Sequence, residues 1–359
     1  MTKERKMIVL GAGASIGSKR YPIKSSLDQM RDRMPSAENF FYDLFKTNKT
    51  DNRPAGSLNF LGLTYENLND LIVRAWHINE EGYNPEEWKG VNIEEVMTFF
   101  EVGSKMHANG SNERKLFKKA QEYLLSFIYP FMPMISDEQH CEYLLHVFFE
   151  LNKNDTIISY NWDTIAEYTL EKARSIQLKN YAKLMRDENI EPSKYRNQGL
   201  LLKLHGSFNW MICENKICEY YNKVKPPFSG NGYKLLGLRD TWKCSSCGGS
   251  KLKPQIVPPV SNKMIHENSF LKNQWLIARE KLLDVHELIF IGYSFPPTDY
   301  YTEWLFRQLN FIEKRHEIKV TVVNPEFGKR GSIVTKRYKT IFKGCKIEGV
   351  KTLKEYSKK

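Results

Sequence analysis

A chain of 359 residues, 41% of them hydrophobic and 13% aromatic, can bury a substantial core, which excludes a disordered protein and allows one large domain with insertions or two ordinary domains. Six cysteines, four of them between Cys213 and Cys247, are too few and too clustered for a disulfide scaffold. The net charge of +12 comes from Lys and Arg spread along the whole chain, so it reads as a solvated surface ahead of a nucleic-acid footprint, with a nucleic-acid partner left open.

The charged start Met1-Thr-Lys-Glu-Arg-Lys6 leads into only four apolar residues before Gly11. No secretory apolar stretch follows and no run approaches the length of a membrane span, so a soluble, cytoplasmic protein with no membrane partner is expected. Met7–Leu10 predicts a short strand ending at Gly11-Ala-Gly-Ala-Ser15. A largely helical stretch runs to about residue 152, with Ser36 and Thr64 as expected N-caps. Within it Ile93, Val96, Met97 and Phe100 recur at helical spacing, as do Cys141, Leu144, Leu145 and Phe148, and both stripes read as core.

Asp155–Tyr160 predicts the next strand, followed by Asn161-Trp-Asp163 and a helix that Asp163 or Thr164 can cap. Leu200–Leu204 is another strand of buried type, stopping at His205-Gly206. Residues 213–259 read as irregular, with Gly, Pro, Lys and paired cysteines. A helix over Glu267–Val285 then leads into a strand at Glu287–Gly292. After Pro296-Pro297 come a helix at about Thr298–Lys314, a strand at Ile318–Asn324 and a last helix near Gly331–Phe342. Strands alternating with helices predict an α/β fold, a Rossmann-type doubly wound parallel sheet carrying a helical module and a four-cysteine module.

Such a sheet presents its ligand beyond the carboxyl ends of the strands. Gly11-x-Gly13-x-Ser15 sits directly after the first strand, where glycines allow either a close approach of pyrophosphate or simply a tight strand-to-helix turn. The loops 159–164, 203–210 and 292–299 and Asn324-Pro325 occupy the same rim, with Asn324 able to bond a ribose hydroxyl. Cys213-x4-Cys218 and Cys244-x2-Cys247 fit a tetrahedral Zn2+ site in a structural role, against the alternative of four reduced thiols. Cys141 and Cys345 read as ordinary.

In this order, the Gly-Ala-Gly-x-Ser opening, the Asn161-x-Asp163 loop, His205-Gly206, the four cysteines, Gly292-x-Ser294 and Asn324 resemble the Sir2-like (sirtuin-type) NAD-binding family over roughly residues 7–326. The resemblance implies a single domain over 1–359, holding a helical module at 24–152 and a zinc module at 211–259. It implies that NAD+ is bound through Gly11, Ala12, Gly13 and Ser15 at the pyrophosphate, and through Gly292, Ser294 and Asn324 at the adenosine half. His205 would act on a ribose hydroxyl, with Asn161 and Asp163 facing the nicotinamide ribose. For Asp163, holding the nicotinamide amide and capping its helix stay equal.

Two segments depart from the deacylating members. Gly17-Ser-Lys-Arg-Tyr-Pro-Ile23 stands where they carry Gly-Ile-Pro-Asp-Phe-Arg, and Pro254-Gln-Ile-Val-Pro-Pro259 stands where they carry Phe-Gly-Glu. The NAD half of the pattern is thus present without the acyl-lysine half, as in the bacterial anti-phage Sir2-like NADases. The implied activity is hydrolysis of NAD+ to ADP-ribose and nicotinamide by a defence effector. The alternatives are a protein deacylase or ADP-ribosyltransferase, and a non-catalytic NAD- or ADP-ribose-binding subunit. Only about thirty residues follow Asn324, so the expected trigger is a homo-oligomer or a separate partner: an ATPase, an Argonaute-like protein or a phage component.

Overall fold

Among the described residues eight short segments form strands: β1 (Lys6–Leu10), β2 (Thr156–Ser159), β3 (Leu201–Lys203), β4 (Gly206–Cys213), β5 (Leu252–Ile256), β6 (Glu287–Ile291), β7 (Lys319–Val323) and β8 (Lys346–Val350). They come from a computed structural model that describes residues 4–16, 37–42, 66–78, 85–136, 140–213, 215–219, 221, 223–224, 244, 246–248, 252–258, 265, 268–313 and 315–358. The expected caps Ser36 and Thr64 lie outside these residues.

Among the described residues, six strands form one all-parallel sheet in the order β3-β2-β1-β6-β7-β8. Runs such as Ile8-Val-Leu10, Leu288–Ile291 and Val320–Val323 are buried throughout, as expected of parallel strands covered on both faces. The chain steps outward from β1 to β2 and β3, then returns to lay β6 against the other side of β1. This reversal puts the switch point of the sheet at the carboxyl ends of β1 and β6, the position at which open α/β sheets bind ligands.

The sheet belongs to one compact unit, residues 1–21, 136–257 and 264–359. Its helices are α1 (Ala12–Ile16), α5 (Glu142–Phe149), α6 (Ile165–Lys172), α7 (Ile176–Leu184), α8 (Ser269–Leu282), α9 (Tyr300–Arg307), α10 (Ile333–Ile341) and α11 (Leu353–Tyr356). Asn268 caps α8 by accepting from the Leu271 N–H at 2.9 Å, so this helix starts two residues later than the sequence pattern suggests. Phe290 of β6 anchors the apolar layer beside β6, its ring centroid lying 5.0–5.5 Å from those of Phe295, Phe306, Tyr338 and Phe342.

Residues 22–135 and 258–263 form the second unit, in which the described helices are α2 (Glu66–Ala75), α3 (Ile93–Met106) and α4 (Asn112–Ser136). Asn92 caps α3 through the Glu94 N–H at 2.8 Å, and Val96, Met97 and Phe100 are buried at the expected helical spacing. Trp76, Phe99 and Phe117 pack edge-to-face, with centroids 5.4–5.5 Å apart. Among the described residues no helix is long and apolar enough to cross a membrane.

Three strands were not legible in the sequence. β8 is an edge strand with a largely solvated face, so Lys346-Ile-Glu-Gly-Val350 lacks an apolar run. β4 and β5 pair antiparallel with a bulge between Ser207 and Met211, inside stretches that read as a site loop and as irregular chain. Pro254 lies within β5, where it argues against a strand at sequence level.

Candidate functional site

β1, β2, β3, β6 and β7 end on one edge of the sheet, and every residue singled out outside the cysteine block lies at or just beyond those ends. Three of them form a hydrogen-bonded cluster. The Asn161 amide donates to the Gly11 carbonyl at 2.9 Å and to Ser15 Oγ at 2.8 Å, and Ser15 Oγ donates to Asp163 Oδ2 at 2.7 Å. Ser15 and Asp163 are buried. The other oxygen of Asp163 accepts the Ile165 N–H at 3.0 Å, whereas Thr164 makes no capping bond, so Asp163 is the cap of α6.

The glycines have a packing role of their own. A Cβ on Gly13 would stand 2.7 Å from Gly292 Cα, and one on Gly11 would stand 2.6 Å from the Gly292 carbonyl oxygen. Gly292 has φ +64° and is as tightly placed, since a Cβ there would stand 2.3 Å from Ala14 N. The Gly13 N–H donates to the Gly292 carbonyl at 3.0 Å, so it already has a partner inside the fold. Ala12 is exposed and Ser294 half-buried. Asn324 is buried, and its side-chain oxygen accepts the Glu326 N–H at 2.9 Å.

His205 follows β3 and is buried, and Gly206 after it takes φ +77° in close contact with the Gln255 carbonyl of β5. The Tyr160 ring meets the imidazole edge-on at 4.9 Å and stacks on Tyr293 at 4.7 Å. Burial pushes both phenols well above their ordinary range. Asp299, the residue before α9, places Oδ1 3.3 Å from His205 Nε2, and its Oδ2 accepts the Tyr293 hydroxyl at 2.7 Å. The His205–Asp299 contact is close but not aligned as a hydrogen bond, and Nε2 has no other partner among the described residues.

Beneath the Asn161–Asp163 loop lies a wholly buried ion pair. Lys203 Nζ sits 3.0 Å from Glu167 Oε1 and also donates to the Asp163 carbonyl. Burial raises the Glu167 carboxyl, and the Lys203 ammonium pulls it partway back. A lysine inside the apolar run Leu200–Leu204 is the sequence signal for this pair.

Removing one partner of a buried pair strands the other charge. Lys203→Met is therefore expected to cost about 3–5 kcal/mol. Adding Glu167→Gln should recover much of that, as measured by urea unfolding of both variants. A single variant as stable as wild type would show that the pair does not brace the loop.

Eight buried polar atoms lack a hydrogen-bond partner among the described residues: Tyr160 Oη, Trp162 Nε1, Thr164 Oγ1, Glu167 Oε2, His205 Nε2, Asn209 Oδ1, Gln274 Nε2 and Thr302 Oγ1. Six of them fall on residues 160–167 and 205–209, the segments that leave β2 and β3. Buried polar groups of this kind are ordinarily satisfied by ordered water or another polar partner.

The four cysteines of the cysteine block converge. Cys213 ends β4, Cys218 lies in the following turn, and their sulfurs are 3.8 Å from that of Cys247 and 3.6 Å from that of Cys244, respectively. All four sulfurs lie within 4.8 Å of one another, and the group could hold a metal ion. These distances exclude disulfides, whose sulfurs are about 2.05 Å apart. Cys141 is buried at the start of α5, and Cys345 is half-buried apart from the cluster.

No family model matches the chain, and no curated protein matches it.

Proposed function

We propose that the chain is a Sir2-like (sirtuin-type) protein with a Rossmann-type sheet, and that it hydrolyses NAD+ to ADP-ribose and nicotinamide. The observation that carries this reading is the Ser15–Asn161–Asp163 cluster at the β1/β2 ends, with His205 at the adjacent end of β3. It supports the ordered resemblance with contacts that the sequence alone could not supply.

In this reading the C1′–N bond of NAD+ breaks with its electron pair leaving on nicotinamide. Water bonds to C1′, and the water proton passes to His205 and then to solvent. The cation at C1′ resembles that of glycoside cleavage, and neutral Asn161 can orient the ribose or the water without trapping it. A general base of this kind supplies about 10²–10⁴-fold. Asp163 acts mainly by fixing Ser15 and the start of α6. Gly11, Ala12, Gly13 and Ser15 line the diphosphate, while Gly292, Ser294 and Asn324 lie toward the adenosine.

We assign zinc to the four cysteines. A tetrahedron with bonds of about 2.3 Å has sulfur–sulfur edges of about 3.8 Å. The two sulfur pairs at 3.6 and 3.8 Å match that edge. Four protein ligands would leave no open coordination position, so a zinc ion held there would staple the β4–β5 module and supply no chemistry to the reaction. Depletion of NAD+ makes the chain an antiviral defence effector, released by oligomerisation or by a separate activating partner.

Full-length protein incubated with NAD+ alone, and with its activator where one is required, is expected to release nicotinamide and ADP-ribose in equal amounts by chromatography. Consumption that depends on an acetyl-lysine peptide would replace hydrolysis by deacylation. Tight binding of NAD+ or ADP-ribose with no turnover would make the chain a binding subunit.

A further inference from the structure

The candidate site contains a carboxylate that the motif pattern did not single out. Asp299 lies eight residues beyond the end of β6, and with 4% exposure it is buried as deeply as the histidine it faces, which is 7% exposed. The ordinary explanation for an aspartate before a helix is an N-cap, yet the Asp299 side chain makes no capping bond to α9. It is turned into the site instead. Oδ2 is held by the Tyr293 hydroxyl at 2.7 Å, and Oδ1 stands 3.3 Å from His205 Nε2.

We infer that Asp299 is a positioning residue that fixes the tautomer and ring orientation of His205, an inference that rests on the hydrolase reading for its catalytic consequence. A neutral imidazole carries one N–H, and a carboxylate can only accept. With Oδ1 as its neighbour, Nε2 carries the hydrogen and Nδ1 keeps the lone pair. Nδ1 is then the atom that takes the proton from the attacking water as oxygen bonds to C1′ and the C1′–N pair leaves on nicotinamide. Once the ring is protonated, Asp299 stabilises the imidazolium. The edge-on Tyr160 ring and its stack on Tyr293 limit ring rotation from the other side. Contacts between a base and its orienting group are often long or poorly aligned before they tighten in the substrate complex, and 3.3 Å lies within that reach.

The test is Asp299→Asn in full-length protein, with two readouts. In that variant the Tyr293 hydroxyl keeps the side-chain oxygen as its acceptor, so the new NH2 faces Nε2 and forces the hydrogen onto Nδ1. Long-range proton–nitrogen spectra of 15N-histidine-labelled protein should show His205 with Nε2–H in the wild type and Nδ1–H in the variant. The signal is assigned by its loss in His205→Gln. The kcat for NAD+ should fall about 10²- to 10⁴-fold with KM nearly unchanged, as expected when a base is held in the wrong tautomer.

Adding Tyr293→Phe frees the amide to rotate and should restore part of kcat, which a merely structural role for Asp299 would not produce. A wild-type His205 protonated on Nδ1 overturns the assignment, as does an Asp299→Asn enzyme with wild-type kcat. If the variant fails to fold, the wild-type spectrum alone decides. If the wild type leaves NAD+ intact while His205 carries Nε2–H, the hydrolase reading fails and the Asp299–His205 pairing stands.

Discussion

His205→Ala and Asn161→Ala are each expected to lower the kcat of NAD+ hydrolysis by about 10²–10⁴-fold, the contribution of one positioned proton acceptor or polar orienting group. The two should differ in what else they disturb. His205 Nε2 has no aligned partner, so truncating the ring leaves few groups stranded, and the melting temperature should move little. Asn161 donates to both the Gly11 carbonyl and Ser15 Oγ, so its removal frees two acceptors at the site. A stability loss of about 1–3 kcal/mol should accompany the loss of rate. Retained binding of NAD+, measured by calorimetry, would separate lost chemistry from lost fold. If His205→Ala hydrolyses NAD+ at the wild-type rate, the proposed mechanism fails at its centre.

Cys244→Ser is expected to have the largest effect on stability. A structural zinc held by four thiolates contributes an apparent 10–16 kcal/mol to the folding of the segment it closes. Here that segment joins the end of β4 to the start of β5, and among the described residues its buried cluster is the four cysteines with Leu252. Protein purified without added zinc should contain about one equivalent per chain by mass spectrometry. The variant should contain almost none and become open to proteases between residues 213 and 252. The damage should reach His205, because β4 begins at the next residue and the Val257 N–H donates to the His205 carbonyl at 2.8 Å. A wild type with well under one equivalent, together with unchanged stability in Cys244→Ser, would remove the metal from the account.

The parts legible in the sequence were those in which one physical cause dominates. Buried parallel strands need continuous apolar runs, so β1, β2, β3, β6 and β7 were readable, as was the helical stripe of Ile93, Val96, Met97 and Phe100. The polar residues just beyond those strands were placed with them, because each follows its apolar run directly in sequence. What failed to show in the sequence depends on partners distant along the chain. β8 is a strand because β7 supplies its ladder, and β4 and β5 make each other. Asp299 matters because of His205, ninety-four positions earlier. Seen alone it reads as a helix cap, just as Lys203 reads as a polar interruption in an apolar run.

Gly11, Gly13 and Gly292 form a seam in which main chain meets main chain, with the Tyr293 ring beside Gly11. A molecule lying across that part of the rim would touch amides and carbonyls whose chemistry is the same in every protein. Substitution there breaks the fold before it can tune recognition. Any drift in what this rim accepts must then come from its replaceable border, the side chains of Tyr160–Asp163, His205, Ser294–Asp299 and Asn324. The seam is thus a fixed floor under a variable wall, and diverged relatives of this chain should differ in the wall and keep the floor.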